Sequence, residues 1–283
     1  MTVVVSAPAS SANLGAGFDV FGMALSLFAE VGVGPAPAGA TEIEPGRPGS
    51  IPFERLGGRG RLWYRTNIPM ARGLGFSGAA RVAAAGLGAV VAADGDPVAI
   101  DRRHDEILAV TTELEGHGDN VSASLDGGVV AHVAGRTVPF VVGPVLGDAT
   151  FVAWVPDVTT STDASRRVLP AHVTLDAAVA NIGAATQFAL AFAHDDPDLL
   201  RGGVADRLHQ AIRLPGVPGA AEAIEVGVAA GAWCGWLSGS GPTVGLLCPG
   251  ERARAVVDAL PDRGHAKLLR LERDGLVARS RLP

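Results

Sequence analysis

The sequence predicts a two-domain α/β protein with mixed sheets. Three observations carry that prediction. Three apolar, strand-like runs precede the first long helix. Gly143-Pro144 and Gly147-Asp148 interrupt the chain at mid-length. Beyond them helical and strand patterns alternate. A doubly wound sheet is excluded, because strand and helix do not alternate from the start. The boundary is set at 145/146, giving domains 1–145 and 146–283.

The elements follow in order. Residues 3–7 read as a strand, and 18–33 as one or two strands. The Pro/Gly-rich stretch 34–60 reads as mostly loop, with no helix. Residues 62–68 form a strand, a glycine turn follows, and the Ala-rich run 79–93 is helical. Ile100, Ile107, Leu108, Val110 and Leu114 give 97–115 a helical period. A short helix is expected over 120–125, and strands over 129–133, 138–142 and 151–155. In the second half, helices are expected at 163–169, 175–194, 204–212, 218–230 and 251–260. Strands are expected at 233–237, 244–247 and 267–271.

Composition narrows the function classes. The chain has 283 residues, 48% of them hydrophobic and 18% charged, which suits a packed globular core. A net charge of −6 argues against nucleic acid or an anionic membrane surface as the main partner. The two cysteines, Cys234 and Cys248, sit in apolar runs without zinc spacing and read as buried reduced thiols. The N-terminal run lacks a basic flank and is interrupted by Asp19, so it reads as neither signal peptide nor membrane span. A cytoplasmic location is expected.

Four motifs carry chemistry. Residues 69–80 (Pro-Met-Ala-Arg-Gly-Leu-Gly-Phe-Ser-Gly-Ala-Ala) place a glycine-rich turn at the start of a helix. Such a turn aims backbone N–H groups and the positive end of the helix dipole at one point, which suits a phosphate. Ser77 could reach a phosphate or Mg2+, or simply cap the helix. Residues 8–22 form a small-residue turn carrying Asn13 and Asp19, which an ordinary turn would also explain. Residues 113–121 gather Glu115, His117, Asp119 and Asn120 between glycines, more polar groups than a helix cap requires. Residues 235–244 (Gly-Trp-Leu-Ser-Gly-Ser-Gly-Pro-Thr-Val) form a tight turn between strands, again compatible with a plain hairpin. Arg166 and Arg213 complete the set. Each alone reads as a surface group, but together they could clamp a carboxylate.

In this order the motifs resemble the GHMP kinase superfamily and, within it, the homoserine kinase family. The resemblance rests on residues 8–19, 69–80, 115–121, 161–170, 208–213 and 238–243, and spans nearly the whole chain. It implies an α+β two-domain fold, with an N-terminal domain like domain 2 of ribosomal protein S5 and a C-terminal ferredoxin-like domain. It implies transfer of the γ-phosphoryl group of ATP to L-homoserine in the cleft between them, with Mg2+ as cofactor. Arg72, Gly73, Leu74, Gly75, Phe76, Ser77 and Gly78, with Gly239 and Gly241, would form the nucleotide site. Ser77 and Glu115 would hold Mg2+. Asn13, Asp19, Thr162, Arg166 and Arg213 would bind the substrate, and His117, Asp119 and Asn120 would surround the reacting hydroxyl. Dimers are common in the superfamily, so a homodimer is an open expectation. Phe76 stands where relatives carry serine, Gly78 where they carry alanine, and the 34–61 segment is short. A kinase for another small hydroxy acid, or a non-catalytic ligand-binding relative, therefore stays open at this point.

Overall fold

The computed structural model describes residues 2–281. Its first layer is an antiparallel seven-stranded sheet. The strands β1 (Thr2–Ala12) and β2 (Phe21–Val33) form its centre, with a bulge between Pro8 and Ala9. Proline has no N–H to give a ladder, and here it stands beside the irregularity. The turn joining them holds Asn13, Leu14 and Asp19 at positive φ (68°, 45° and 58°), so its side chains are set by an unusual backbone.

The 34–60 stretch is not all loop. It contains β3 (Thr41–Ile43) and the short helix α1 (Ile51–Arg55), whose Pro52 and Phe53 are buried. Five residues are too few to show a helical period, which is why the pattern hid it. Next come β4 (Leu62–Thr66) and α2 (Phe76–Ala92), the central helix of the core. Its alanines and glycines allow close approach: a Cβ on Gly88 would lie 2.3 Å from the Phe53 carbonyl oxygen.

The periodic run 97–115 is two helices, α3 (Ala99–Arg102) and α4 (His104–Glu115). They break at Arg103, which leaves helical geometry (φ −113°) and donates to the Leu56 carbonyl at 2.7 Å. Helix α5 (Asp119–Asp126), strands β5 (Val129–Val133) and β6 (Arg136–Pro139) and helix α6 (Pro144–Gly147) finish this half.

The second sheet is four-stranded and again antiparallel, its strands lying in the order 264–270, 150–156, 244–248, 234–237. Strand β7 (Thr150–Pro156) leads to α7 (Thr162–Arg167), capped by the Ser161 hydroxyl, and to α8 (Leu175–His194). By length and composition α8 could cross a membrane, but one such helix is weak evidence, and its Phe188, Ala191 and Phe192 enter the main core.

The helix expected at 204–212 does not form. Instead α9 (Leu200–Gly203) and α10 (Gln210–Arg213) flank a turn. There the Asp206 carboxylate accepts from the N–H groups of Leu208, His209 and Gln210, a side-chain alternative to the helical ladder. Helix α11 (Ala220–Ala229), strands β8 (Cys234–Leu237) and β9 (Val244–Cys248), helix α12 (Ala253–Ala259) and strand β10 (Gly264–Arg270) complete a ferredoxin-like arrangement. Burial pushes the Cys234 thiol up to about 12 and the Cys248 thiol to about 11, so both stay protonated.

A strand that the sequence reading did not place, β11 (Val277–Arg281), returns to pair with β1 in the first sheet. The two layers are thus joined twice, and the main apolar core runs through both, from Met23 and Val82 to Phe151 and Trp236. A second cluster around Trp154, Leu246 and Val256 underlies the outer face of the second sheet.

Candidate active site

The glycine turn between β4 and α2 is clamped between the two layers. Ser10 N–H donates to the Leu74 carbonyl at 3.2 Å, and the Ser238 hydroxyl donates to the Gly73 carbonyl at 2.6 Å. Space at the turn admits only glycine. A Cβ on Gly73 (φ 72°) would lie 2.5 Å from the Ser238 carbonyl oxygen, and one on Gly75 (φ 69°) 2.1 Å from the Ser10 hydroxyl. Gly75 caps α2 with its backbone alone, so no side chain covers the first N–H groups of the helix. They border a cavity of about 280 Å³.

This cavity gathers all but one of the residues singled out in the sequence. Asn13, Asp19, Arg72 to Ser77, Glu115, His117, Asp119, Asn120, Thr162, Arg166, Arg213, Gly239 and Gly241 line it. Gly78 is the exception. A Cβ there would sit 3.3 Å from the Asn120 Cβ, so its smallness serves the contact of α2 with α5 rather than the cavity wall. Ser240, inside the 239–241 turn, also lines the cavity, as do Pro69, Ala71 and Thr160, which the sequence does not single out.

At one end, the Ser77 hydroxyl donates to Glu115 Oε2 at 2.8 Å. Ser77 therefore faces a carboxylate instead of capping its helix. The same oxygen accepts from the Arg81 guanidinium, one turn farther along α2. Burial lowers the pKa of Arg81.

In the middle of the wall, Asp119 is 1% exposed, and its Oδ1 receives the Asn120 N–H at 2.7 Å and lies 2.6 Å from His117 Nδ1. Asn120 Oδ1 accepts from the Ser10 hydroxyl at 2.8 Å, which leaves the amide nitrogen as the group's free donor. Asn13 is tied at both ends: its Oδ1 accepts from Asp19 N–H at 3.0 Å, and its Nδ2 donates to the Gly239 carbonyl at 2.8 Å.

The other end is arginine-rich. Arg166 on α7 donates two bonds to Asp19, at 2.9 and 2.5 Å, and that pairing raises the Arg166 pKa. Arg213 is different. It is 6% exposed, yet among the described residues no carboxylate lies within ion-pair distance of it. Burial and the nearby Arg166 lower its pKa. Both guanidinium groups lie near the Phe18 ring, at 5.8 Å (Arg166) and 5.3 Å (Arg213). Thr162 meets Ser240 at 3.3 Å. Arg72 Nη1 donates to the Pro156 and Val158 carbonyls and ties the glycine turn to the second layer, while its remaining N–H groups stay on the cavity wall.

Phe18, Arg81 and His209 escaped the sequence reading as site residues. Phe18 and His209 lie inside the quoted motifs, but their contacts are made across the chain. Arg81 had only its helical spacing from Ser77 as a signal.

Among the described residues no group of three or more His, Cys, Asp or Glu side chains could enclose a metal. One hydroxyl and one carboxylate oxygen 2.8 Å apart fit a hard cation that completes its shell with phosphate and water.

Residues 188–266 match the family described as GHMP kinases C terminal. A homoserine kinase of Carboxydothermus hydrogenoformans is 40% identical over 261 residues, which cover 86% of this chain and 84% of the relative. The chain belongs to the homoserine kinase family. A homoserine kinase of Moorella thermoacetica is 38% identical over 89% of each chain. The crystal structure of the Cytophaga hutchinsonii homoserine kinase superposes with a TM-score of 0.81 over 98% of this chain and 97% of the other, at 22% identity, and so shares the fold. The GHMP kinase fold expected from the motifs is therefore the fold of this homoserine kinase family member.

Proposed function

We propose that this chain transfers the γ-phosphoryl group of MgATP to the side-chain hydroxyl of L-homoserine, yielding O-phospho-L-homoserine for threonine biosynthesis. Arg213 is the observation that carries the reading. A buried guanidinium on the cavity wall without a carboxylate partner is a site for an anion. Asp19 in the same wall supplies the opposite charge. A free amino acid is a zwitterion, and its carboxylate and ammonium groups match Arg213 with Arg166 on one side and Asp19 on the other. Mevalonate has no amine to satisfy Asp19.

The nucleotide phosphates take the uncapped N–H groups of the 73–77 turn, where the dipole of α2 adds partial positive charge. Arg72 ties that turn to the second layer through Nη1. Ser77 and Glu115 hold Mg2+, which when bound neutralises charge on the phosphates. The free N–H2 of Asn120 donates toward the reacting oxygens and orients them. It has no basic atom, so alignment and charge neutralisation drive the step, as a loose phosphoryl-transfer transition state permits. Asp119, braced by His117, is the carboxylate in the wall that can take the hydroxyl proton. The reading assigns the reaction to the cytoplasm, with a small-molecule substrate as partner and a homodimer as the open possibility for assembly.

A coupled ADP-release assay with MgATP against homoserine, threonine, serine and mevalonate tests the reading. Homoserine should give the highest kcat/KM, with mevalonate lower by about 100-fold or more for want of the amine's charged contact. Folded protein that turns over none of them overturns it.

A further inference from the structure

His209 is 1% exposed, and each of its ring nitrogens has a partner. Nε2 lies 3.0 Å from the Gly15 carbonyl oxygen, 194 residues away in sequence. A carbonyl only accepts, so Nε2 carries the proton. Nδ1 lies 3.3 Å from an Arg213 guanidinium nitrogen. A guanidinium only donates, so Nδ1 presents its lone pair. Both contacts are satisfied by one species alone, the neutral Nε2–H tautomer.

The surroundings favour that species. Burial lowers the His209 pKa, and the Arg213 charge works the same way, while Asp206 (3.7 Å from Nε2) and Asp19 oppose it. Arg166 meets the same Phe18 ring from α7. Phe18 stacks on the imidazole with centroids 5.0 Å apart and planes at 29°. The Arg213 Nε also donates to the Ser165 carbonyl at 3.3 Å. The guanidinium is therefore directed by neutral groups: an imidazole lone pair, an aromatic ring and a carbonyl.

We propose that His209 is a positioning residue for substrate binding: its neutral imidazole, fixed by Gly15, aims the unpaired Arg213 into the cavity to meet the acceptor's carboxylate. The inference deepens the homoserine kinase reading and rests on it. His209 is not among the residues lining the cavity and reaches it through Arg213, so its loss should act on KM for homoserine more than on kcat.

Two substitutions separate aim from mere packing. In His209→Asn the amide oxygen falls where Nδ1 stood and keeps an acceptor for Arg213. In His209→Gln the amide reaches the Nε2 position and keeps the Gly15 bond, but leaves Arg213 without its acceptor. The Gln variant should raise KM for homoserine roughly tenfold, with a smaller change in kcat and in KM for ATP. The Asn variant should recover most of that loss, with melting temperatures measured alongside. Equal KM in both folded variants, or a loss confined to kcat, overturns the role of His209 and leaves the substrate reading standing. A wild-type protein that does not phosphorylate homoserine overturns both. If neither variant folds, the 15N spectrum of histidine-labelled wild type decides. The His209 imidazole, told apart by comparison with a His132→Gln variant because burial lowers the His132 pKa as well, should remain a neutral Nε2–H tautomer at pH 6, below the ordinary histidine value of about 6.5. Absence of that signal overturns the proposal.

Discussion

Arg166 and Asp19, 147 residues apart in sequence, are joined by two hydrogen bonds of 2.9 and 2.5 Å across the mouth between the two layers. This ion pair stands where the substrate's own two charges are proposed to bind. The ammonium group would take Arg166's place at Asp19, and the carboxylate would take Asp19's place at Arg166. Asp19→Asn keeps the shape and removes the anion. It should raise KM for homoserine by roughly 10- to 100-fold, since a hydrogen bond to a charged group contributes about 1.5–3 kcal/mol. Initial rates at saturating ATP check this, and an unaltered KM would remove Asp19 from the amine site.

Arg213, proposed to meet the same carboxylate, sits in a drier position, 6% exposed. Arg213→Lys keeps the charge but loses the planar fork, and the shorter head cannot satisfy Ser165, His209 and a carboxylate together. KM should rise about tenfold in the lysine variant and further in Arg213→Ala. Isothermal titration with homoserine in the absence of nucleotide gives the same ranking without relying on turnover.

Glu115 is contested between Arg81 and the metal proposed to bind there. Oε2 accepts from Ser77 and Arg81 at once, so Mg2+ bound there would compete with a half-buried cation for that oxygen. Glu115→Gln should lose Mg2+-dependent turnover by roughly 100-fold or more while folding normally. Arg81→Met should lower the Mg2+ concentration for half-maximal rate by a few-fold, about the effect of removing one competing ion pair. A magnesium titration of rate, with Mn2+ binding followed by electron paramagnetic resonance, checks both.

Phe76 starts α2 in the cavity wall and leans on Tyr64, ring centroids 6.1 Å apart. Phe76→Ser replaces that ring with a hydroxyl beside the proposed phosphate site. KM for ATP should change by about three- to tenfold, the worth of roughly one hydrogen bond, while KM for homoserine changes less than twofold. Initial rates with ATP and GTP measure the shift and any change in nucleotide preference.

The site was legible in the sequence wherever function depends on neighbours along the chain. Gly73 and Gly75 had to be glycine because backbone and the Ser10 hydroxyl fill the space a Cβ would need, and such turns leave a local signature. Glu115, His117, Asp119 and Asn120 lie within six residues, so their clustering could be read directly. What stayed hidden depends on distant partners. Nothing near residue 209 announces that Gly15 fixes its tautomer, and nothing near Arg166 shows that Asp19 already holds it. The fold followed the same division. Long periodic runs such as 175–194 appeared in the structure as expected. The five-residue α1 was too short to register, Asp206 diverted the 204–212 run into a turn, and β11 owes its place to β1 at the opposite end of the chain.

The most direct test of the account is the identity of the phosphorylated product. Purified protein with MgATP and L-homoserine, followed by 31P NMR, should show a phosphomonoester resonance coupled to the side-chain methylene of homoserine, appearing in step with ADP. Release of ADP and inorganic phosphate without that ester, or no reaction from folded protein, would contradict it.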